Sequence, residues 1–363
     1  MRGTGDSREG EIFSGAAAAA PSGASIEARA PTRIDLAGGT LDIWPLYLFH
    51  EGAMTVNCAI TRYAKCRVEV GSGSARSSRS ITLRSLDTRR EERFASLAEL
   101  SRMRSYRLAL LARLVGIFRP SQGFMLTTDS EAPAGAGLGG SSAMAVAICA
   151  ALTRLTNAKS TREDWIHLSR DVEAMVLGVP TGTQDHYPAA FGGVMAVVLE
   201  AGGERREALR VDARELESRL VLCYSGKPRR SGINNWKIFQ DHLNGDRRVR
   251  RNLDEIAAIA RAMREALESG DWSEAGRLML EEWSFRRRTL PGISTPMIDR
   301  IISAARRAGA LAGKGCGAGG GGCVALMIPP DARGRVERAV EMAGGQILPM
   351  RIARRGVEVQ VMQ

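Results

Sequence analysis

The feature that most constrains this 363-residue chain is a glycine-rich stretch directly before a run of small apolar residues. It covers residues 131–152 and reads EAPAGAGLGGSSAMAVAICAAL. Glycines give the backbone the freedom that a tight loop needs, and the alanine-rich run predicts a helix. Successive N–H donors that lead into a helix amino terminus suit an anionic group such as a phosphate. The stretch therefore predicts a loop and helix that hold phosphate.

Other nucleotide-binding loops match this stretch less well. No Lys-Ser or Lys-Thr pair closes it, which disfavours a P-loop NTPase. Gly135, Gly137 and Gly140 match the spacing G-x-G-x-x-G, but that match alone is equally compatible with a glycine turn needed only for packing. A Rossmann site also needs an acidic residue after a second strand about twenty positions later, where this sequence is helical in pattern. The pair Ser141-Ser142 can instead offer hydroxyls to a metal–phosphate complex.

Length and composition set broad limits on the protein. The chain is longer than one hydrophobic core usually serves, and its apolar fraction of 44% is ordinary, so we expect two domains. No apolar run reaches the roughly eighteen residues of a membrane span, and we expect no membrane partner. Six cysteines without a C-x-x-C pair predict reduced core thiols in a cytoplasmic protein. Residues 1–24 fit a secretory signal poorly and predict a disordered tail.

The net charge of +11 raises the question of a nucleic-acid partner. The basic residues are scattered, with acids between them and few aromatic neighbours, so we expect no nucleic-acid binding. Anionic small molecules remain compatible with this charge.

The hydrophobic pattern predicts strands alternating with helices in two halves, a two-domain α+β architecture. Residues 24–39 read as one strand and residues 53–71 as two more, followed by a polar hairpin over 71–92. Further elements follow in chain order: a helix over 101–118, a strand at 123–128, helices near 140–155 and 161–177, and a strand over 191–200. The second half predicts a strand at 219–226, helices between 232 and 289, over 295–308 and near 331–343, and terminal strands.

Three segments together resemble one enzyme family. PAGAGLGGSSA (133–143) closely resembles the central motif of the GHMP kinases, and APTRIDLAGGTLD (30–42) and GKGCGAGGGGC (313–323) resemble the remaining two motifs in the family's order. RIDLAGGTLDIWPLY (33–47) and GVPTGTQDHYPAAFGG (178–193) look most like the branch with D-glycero-D-manno-heptose 7-phosphate kinase and the L-fucokinases.

The resemblance implies a fold and a reaction. The fold would pair an amino-terminal domain like domain 2 of ribosomal protein S5, residues 25–205, with a ferredoxin-like α/β carboxy-terminal domain, residues 206–363. The reaction would be ATP- and Mg²⁺-dependent phosphorylation of a sugar or sugar phosphate at the anomeric hydroxyl, by a monomer or homodimer. A kinase for a non-sugar alcohol, a catalytically silent metabolite sensor and a Rossmann oxidoreductase are the alternatives.

The resemblance also assigns roles to residues. The residues that it implies for ATP binding are Pro133, Gly135, Ala136, Gly137, Leu138, Gly139, Gly140, Ser141 and Ser142. Ser142 and Glu173 would bind Mg²⁺, and Asp185 would face the acceptor hydroxyl. Because a guanidinium cannot act as a base, Arg33 would stabilise phosphate oxygens or fix Asp185, and proton removal would fall to Asp185.

Substrate contacts complete the expected site. Asp42 would accept hydrogen bonds from sugar hydroxyls, although an Asp that only stabilises a turn fits the same position. The expected substrate-binding residues are Arg33, Gly39, Thr40, Asp42, Gly182, Asp185, Gly319 and Gly320. Three residues depart from the family pattern: His186 replaces a frequent Gln, Thr183 stands where heptose kinases often have Lys, and Cys316 occupies a usual Ser or Thr position. The basic loop at 227–231 fits an anionic substrate and a solvated loop equally.

Overall fold

The computed structural model describes Phe13 and residues 23–71, 79–228 and 233–362. The predicted tail lies almost wholly outside these residues, as do the middle of the predicted 71–92 hairpin and most of the 227–231 loop. Within the described ranges, no helix is long and apolar enough to cross a membrane.

Eight strands form the first sheet, in the order β12-β1-β2-β5-β3-β4, with β6 and β7 joined to β2. The strands are β1 (Ser25–Ala37), β2 (Met54–Val70), β3 (Ile81–Ser85), β4 (Arg90–Phe94), β5 (Phe124–Ser130), β6 (Val194–Glu200), β7 (Gly203–Ala208) and β12 (Glu358–Met362). All of its pairings are antiparallel except that of β3 with β5. The last strand of the chain therefore returns to pair with the first.

The prediction of two strands in residues 53–71 is wrong, because β2 runs unbroken through Met54–Val70. No Gly or Pro interrupts the segment, so nothing in its backbone forces a turn. The first part of β2 pairs with β6 and the last part with β5. One long strand thereby connects two parts of the sheet.

Five helices accompany this sheet: α1 (Leu97–Arg102), α2 (Ala109–Phe118), α3 (Gly140–Thr156), α4 (Arg162–Leu177) and α5 (His186–Phe191). The helices predicted near 140–155 and 161–177 are confirmed as α3 and α4. α4 begins with a capping box, in which Thr161 and Asp164 bond each other's backbone N–H. The single helix predicted over 101–118 is instead helical only at its two ends, since α1 ends at Arg102 and α2 begins at Ala109.

The second sheet has four antiparallel strands in the order β11-β8-β10-β9. They are β8 (Leu220–Tyr224), β9 (Ala312–Gly315), β10 (Cys323–Met327) and β11 (Gln346–Ile347). The accompanying helices are α6 (Ala213–Ser218), α7 (Ile233–Leu243), α8 (Arg247–Ser269), α9 (Trp272–Thr289), α10 (Pro296–Arg307) and α11 (Arg333–Met342). Two mixed helix-and-sheet units confirm the α+β architecture. The boundary at residue 206 stays a prediction, and β7 spans it.

The hydrophobic core joins the two units. In one cluster, Ile34 of β1 and Val56 of β2 share buried surroundings with Leu222 of β8 and Met279 of α9. All six cysteines are buried and none forms a disulfide, as the sequence predicted. The loops that matter for function lie where these units meet.

Candidate active site

A cavity of about 510 Å³ opens beside the glycine-rich loop. Every residue from Pro133 to Ser142 lines it. Gly135, Gly137 and Gly139 have φ values of 67°, 78° and 72°, which a residue with a side chain adopts only under strain. Gly139 caps α3, so the loop delivers its backbone directly into the helix amino terminus. The predicted phosphate loop therefore has the tight backbone turns that its glycines indicated, and its binding of phosphate stays a prediction.

Arg33 and Asp185 meet at the wall of this cavity, although 152 positions separate them in the sequence. Arg33 Nε and Nη2 donate to Asp185 Oδ1 at 2.8 and 2.5 Å, and Nη1 donates to the carbonyl of Gly137 at 2.6 Å. Burial by itself would lower the pKa of Arg33, but the charges of Asp185 and Asp35 outweigh it and hold the pKa above its usual value. The arrangement fixes a permanent cation between a carboxylate and the phosphate loop.

Asp42 forms another part of the wall. Its Oδ2 accepts the backbone N–H of Gln184 at 2.9 Å, and its side chain is almost fully buried. Any side chain at Gly182 would overlap the Asp42 carboxylate, so only glycine fits there. Burial raises the pKa of Asp42 to about 6, with the charge of Asp185 adding to the effect. Asp42 therefore lies at the cavity in surroundings that disfavour its charge.

A hydroxyl and a carboxylate meet where α3 begins. Ser142 Oγ donates to Glu173 Oε2 at 2.7 Å, and both residues line the cavity. His186 Nε2 lies 3.0 Å from the same carboxylate oxygen, but neither ring nitrogen forms an aligned hydrogen bond. Burial acts to raise the pKa of Glu173, whereas His186 and the two serines of the loop outweigh it and hold the pKa below its usual value.

The second glycine loop contributes different residues from those predicted. Gly317 and Ala318 line the cavity, whereas Gly319 and Gly320 are not among its lining residues. A Cβ at Gly319 would lie 2.5 Å from the carbonyl oxygen of Ile293, so this glycine faces the loop between α9 and α10. The substrate-binding role of Gly319 and Gly320 stays a prediction.

Gly39 and Thr40 also lie behind the cavity wall. A Cβ on Gly39 would collide with Arg286, so the glycine accommodates a buried guanidinium. Thr40 has a φ of 81° and donates its hydroxyl to Asn235 Oδ1 at 3.2 Å. Asn235, on α7, lines the cavity, and the sequence motifs contained no signal for it.

Sequence reasoning also missed four buried charged residues behind Arg33: Asp35, Glu282, Arg286 and Lys314. For two of these residues, the sequence contained a signal that could have identified them. Asp35 interrupts an otherwise apolar strand segment, and Lys314 is a lone cation within a glycine-rich stretch. A charge in such surroundings is uncommon unless it is paired.

A second depression, of about 690 Å³, lies on the open face of the first sheet. It is larger than the cavity at the phosphate loop, but four of its charged side chains pair with each other, Arg29 with Glu358 and Arg67 with Glu27. Among the residues that the structure describes, none that lines this depression is a glycine. The cavity at the phosphate loop is therefore the candidate active site.

Comparison with known proteins identifies the family of the chain. The family model described as GHMP kinases N terminal domain matches residues 104–193, and that described as GHMP kinases C terminal matches residues 263–344. A mevalonate kinase of Thermococcus sibiricus is 30% identical over 255 residues, which cover 66% of this chain and 70% of that enzyme. The chain belongs to the GHMP kinases. It is accordingly a phosphotransferase with a hydroxyl group as acceptor, and ATP is the phosphate donor of this family.

Other GHMP kinases match over more of the chain. The D-glycero-alpha-D-manno-heptose 7-phosphate kinase of Campylobacter jejuni subsp. jejuni is 27% identical over 347 residues, 92% of this chain and 98% of that enzyme. Among solved structures, a D-glycero-D-manno-heptose 1-phosphate kinase from Bacteriodes thetaiotaomicron has a TM-score of 0.73, with 24% identity over 93% of this chain and 99% of its own. A galactokinase of Lactococcus lactis has a TM-score of 0.75, with 18% identity over 92% and 95%. These structures confirm the two-domain GHMP kinase fold.

Proposed function

We propose that this GHMP kinase transfers the γ-phosphate of ATP to the anomeric hydroxyl of a sugar or sugar phosphate. The observation that carries the proposal is the Arg33–Asp185 pair, fixed between the phosphate loop and the cavity. The heptose-phosphate kinase that matches 92% of the chain supports a sugar acceptor. Asp42 supports it as well, because a buried acceptor in the cavity wall suits a molecule with several hydroxyls.

Asp185 acts on the acceptor hydroxyl in this proposal. Its carboxylate takes the hydroxyl proton as the acceptor oxygen forms a bond to the γ-phosphorus and the bond from that phosphorus to the β,γ-bridging oxygen breaks, leaving ADP. Arg33 cannot take the proton, so it holds Asp185 in place and stabilises the charge on the transferring group. The backbone N–H groups of the phosphate loop and the α3 amino terminus orient the phosphates.

Ser142 and Glu173 would hold Mg²⁺. Their oxygen atoms already meet at the cavity, and hydroxyl and carboxylate oxygens are ligands that this ion prefers. Among the described residues, no group of three or more His, Cys, Asp or Glu side chains could hold a metal. Two protein ligands suffice for Mg²⁺ when phosphate oxygens and water complete the shell. An ion held by these two residues would supply positive charge that neutralises phosphate oxygens during transfer.

The direct test is an ADP-release screen with Mg²⁺, ATP and candidate acceptors. The acceptors to be tested are free hexoses, fucose, heptoses, the corresponding sugar phosphates, and mevalonate as the non-sugar alcohol. We expect turnover with a sugar or sugar phosphate. Turnover with mevalonate alone would replace the sugar with a non-sugar acceptor, and absence of ADP release with every acceptor would contradict the proposal.

Replacing Asp185 by Asn tests its role, because the amide keeps the size but cannot take a proton. We expect normal folding and ATP affinity, with turnover lower by roughly 10²–10⁴, the usual contribution of a positioned general base. Asp331→Asn is the matched control, since that side chain is 77% exposed and lies outside the cavity. A folded Asp185→Asn protein that retains more than about a tenth of the wild-type rate would remove Asp185 as the base.

Ser142→Ala and Glu173→Ala each delete one oxygen ligand of the proposed ion. We expect both variants to need roughly tenfold or more additional Mg²⁺ for half-maximal turnover, because a cation that loses a ligand binds more weakly. Ser169→Ala, a change at a buried serine on the same α4 helix as Glu173 but outside the cavity, is the control. An unchanged Mg²⁺ dependence in both variants would place the metal elsewhere.

A further inference from the structure

Five charged side chains from both units meet in a buried cluster behind the cavity: Arg33, Asp35, Glu282, Arg286 and Lys314. Each is at most 3% exposed. Only Arg33 reaches the cavity, and the other four are absent from its lining. The cluster therefore influences the site through Arg33 and not by touching a substrate.

Asp35 lies at the centre of the cluster. Its Oδ2 is 3.2 Å from both Lys314 Nζ and Arg286 Nη1, whereas Arg33 Nη1 is 3.9 Å from Oδ1. The Gly317 N–H donates to Oδ1 at 3.1 Å, and Arg286 Nη2 donates to the Gly317 carbonyl at 2.7 Å. Two cations thus neutralise Asp35 more closely than Arg33 does, and the same contacts hold the second glycine loop.

Glu282 completes the arrangement on the far side. Its Oε2 lies 3.0 Å from Lys314 Nζ and its Oε1 lies 3.6 Å from Arg286 Nη1. The cluster therefore contains three cations and two carboxylates, which leaves one positive charge in excess. Arg33 is the cation that faces the cavity, and Asp185 is the carboxylate that balances it there.

We propose that Lys314 and Glu282 are positioning residues that keep the Arg33 charge available to the reaction. While Asp185 is ionised, it pairs with that charge. When Asp185 takes the acceptor proton it becomes neutral, and the excess positive charge then acts on the transferring phosphoryl group. Charge that is fixed before the reaction stabilises a transition state without reorganisation. This inference rests on the proposed function, because it assigns Asp185 the proton.

Lys314→Met removes the excess positive charge of the cluster, since two cations then face two carboxylates. The Arg33 charge is then needed to neutralise Asp35. We expect kcat per folded protein to fall by about tenfold or more, while KM for ATP and for the acceptor changes less than about threefold. Combining it with Glu282→Gln or with Glu282→Met restores one excess cation. Both double variants should recover kcat to within about threefold of wild type, although their side chains differ in shape and polarity. Lys65→Met, which breaks an exposed pair with Glu131, is the control.

Two kinetic outcomes would overturn the inference. One is a folded Lys314→Met protein with the wild-type kcat, and the other is a pair of double variants whose kcat is as low as that of Lys314→Met. If Lys314→Met does not fold, the double variants decide, because the buried charges that remain in them still have a partner, Asp35 with Arg286. A folded double variant with kcat more than about tenfold below wild type contradicts the inference.

Binding of ADP with aluminium fluoride, an anionic mimic of the transferring phosphoryl group, needs no acceptor. In an Asp185→Asn background, where that side chain carries no charge as after proton transfer, calorimetry should find it weakened about tenfold by Lys314→Met and restored in both double variants. Equal affinities throughout would also overturn the inference. An inactive wild-type enzyme, by contrast, would contradict the proposed function, and this binding series would still test the role of Lys314.

Discussion

Two carboxylates on neighbouring parts of the chain behave in opposite ways because their neighbours differ. Asp35 and Asp42 are both fully buried, which acts to raise the pKa of each. Lys314, Arg33 and Arg286 surround Asp35 and lower its pKa to about 2. Asp42 has one backbone N–H donor from Gln184 and the negative charge of Asp185 nearby, so its pKa rises to about 6. Asp35 is therefore ionised among its cations, whereas Asp42, at the cavity, has a pKa close to neutral pH.

The pKa of Asp42 predicts a pH dependence of stability. Because this pKa is higher in the folded chain than the usual 3.8, the folded state binds more protons between about pH 4 and 6, and stability falls as pH rises through that range. The difference corresponds to about 3 kcal/mol against the ionised native state at neutral pH. Asp42→Asn should therefore raise the Tm at pH 7.5 and have little effect at pH 4. Equal Tm changes at both pH values in thermal scans would contradict this.

The same residue should govern acceptor binding. Asp42→Ala removes a buried hydrogen-bond acceptor, whose loss costs about 1–3 kcal/mol, so the acceptor KM should rise roughly 5- to 150-fold while the ATP KM changes little. Steady-state kinetics with each substrate varied in turn separate the two effects. Asp129→Ala, on β5 and outside the cavity, is the control. Similar increases in both KM values would remove Asp42 from the acceptor site.

At the scale of elements, the two glycine loops act as one unit because they contact each other directly. The Cys323 N–H donates to the Ala136 carbonyl at 2.7 Å, which ties the start of β10 to the phosphate loop. A Cβ at Gly322 would lie 2.6 Å from the same carbonyl oxygen. Position 322 therefore requires glycine for two reasons: the backbone of the phosphate loop passes close to it, and its φ is 80°.

A matched pair of substitutions separates these two requirements. Gly193 has a φ of 78° and open space where a Cβ would lie, so Gly193→Ala carries only the backbone strain, about 1–2 kcal/mol. Gly322→Ala carries the same strain and also displaces the phosphate loop. We expect both variants to lose stability, but only Gly322→Ala to raise the ATP KM, by about tenfold or more. An unchanged ATP KM in Gly322→Ala would show that the contact between the loops does not shape the nucleotide site.

At the scale of the whole molecule, the two units are joined in three ways. β12, the last strand, pairs with β1 over five residue pairs and completes the first sheet. The apolar clusters contain residues from both sheets, and the buried charges connect β1 with α9 and β9. Both units therefore share apolar and charged interior contacts.

We therefore predict a single cooperative unfolding transition, with equal calorimetric and van't Hoff enthalpies. MgATP should shift the whole transition upward, because a ligand that binds only the folded chain stabilises it by about 2.7 kcal/mol at a hundredfold excess over its Kd. Differential scanning calorimetry with and without MgATP measures both effects. Two separated peaks, only one of which moves with MgATP, would show that the units unfold independently.

The sequence by itself determined the features that depend on short stretches of chain. The phosphate loop and α3 were predictable because glycines with positive φ and a helix start are local preferences. The family motifs also placed Arg33, Asp42 and Asp185 among the candidates. Two predictions from local preference were wrong. β2 is one strand and not two, and residues 103–108 interrupt a segment predicted as one helix.

Only the tertiary structure decided which distant residues meet. Arg33 binds Asp185 across 152 positions, Thr40 reaches Asn235, and Lys314 lies between Asp35 and Glu282. Short windows of sequence carry backbone preferences, whereas these contacts depend on how two sheets and their helices pack around shared apolar clusters. The pKa values of Asp35 and Asp42 follow from that packing, because burial and the neighbouring charges that set them come from elements far apart in the chain.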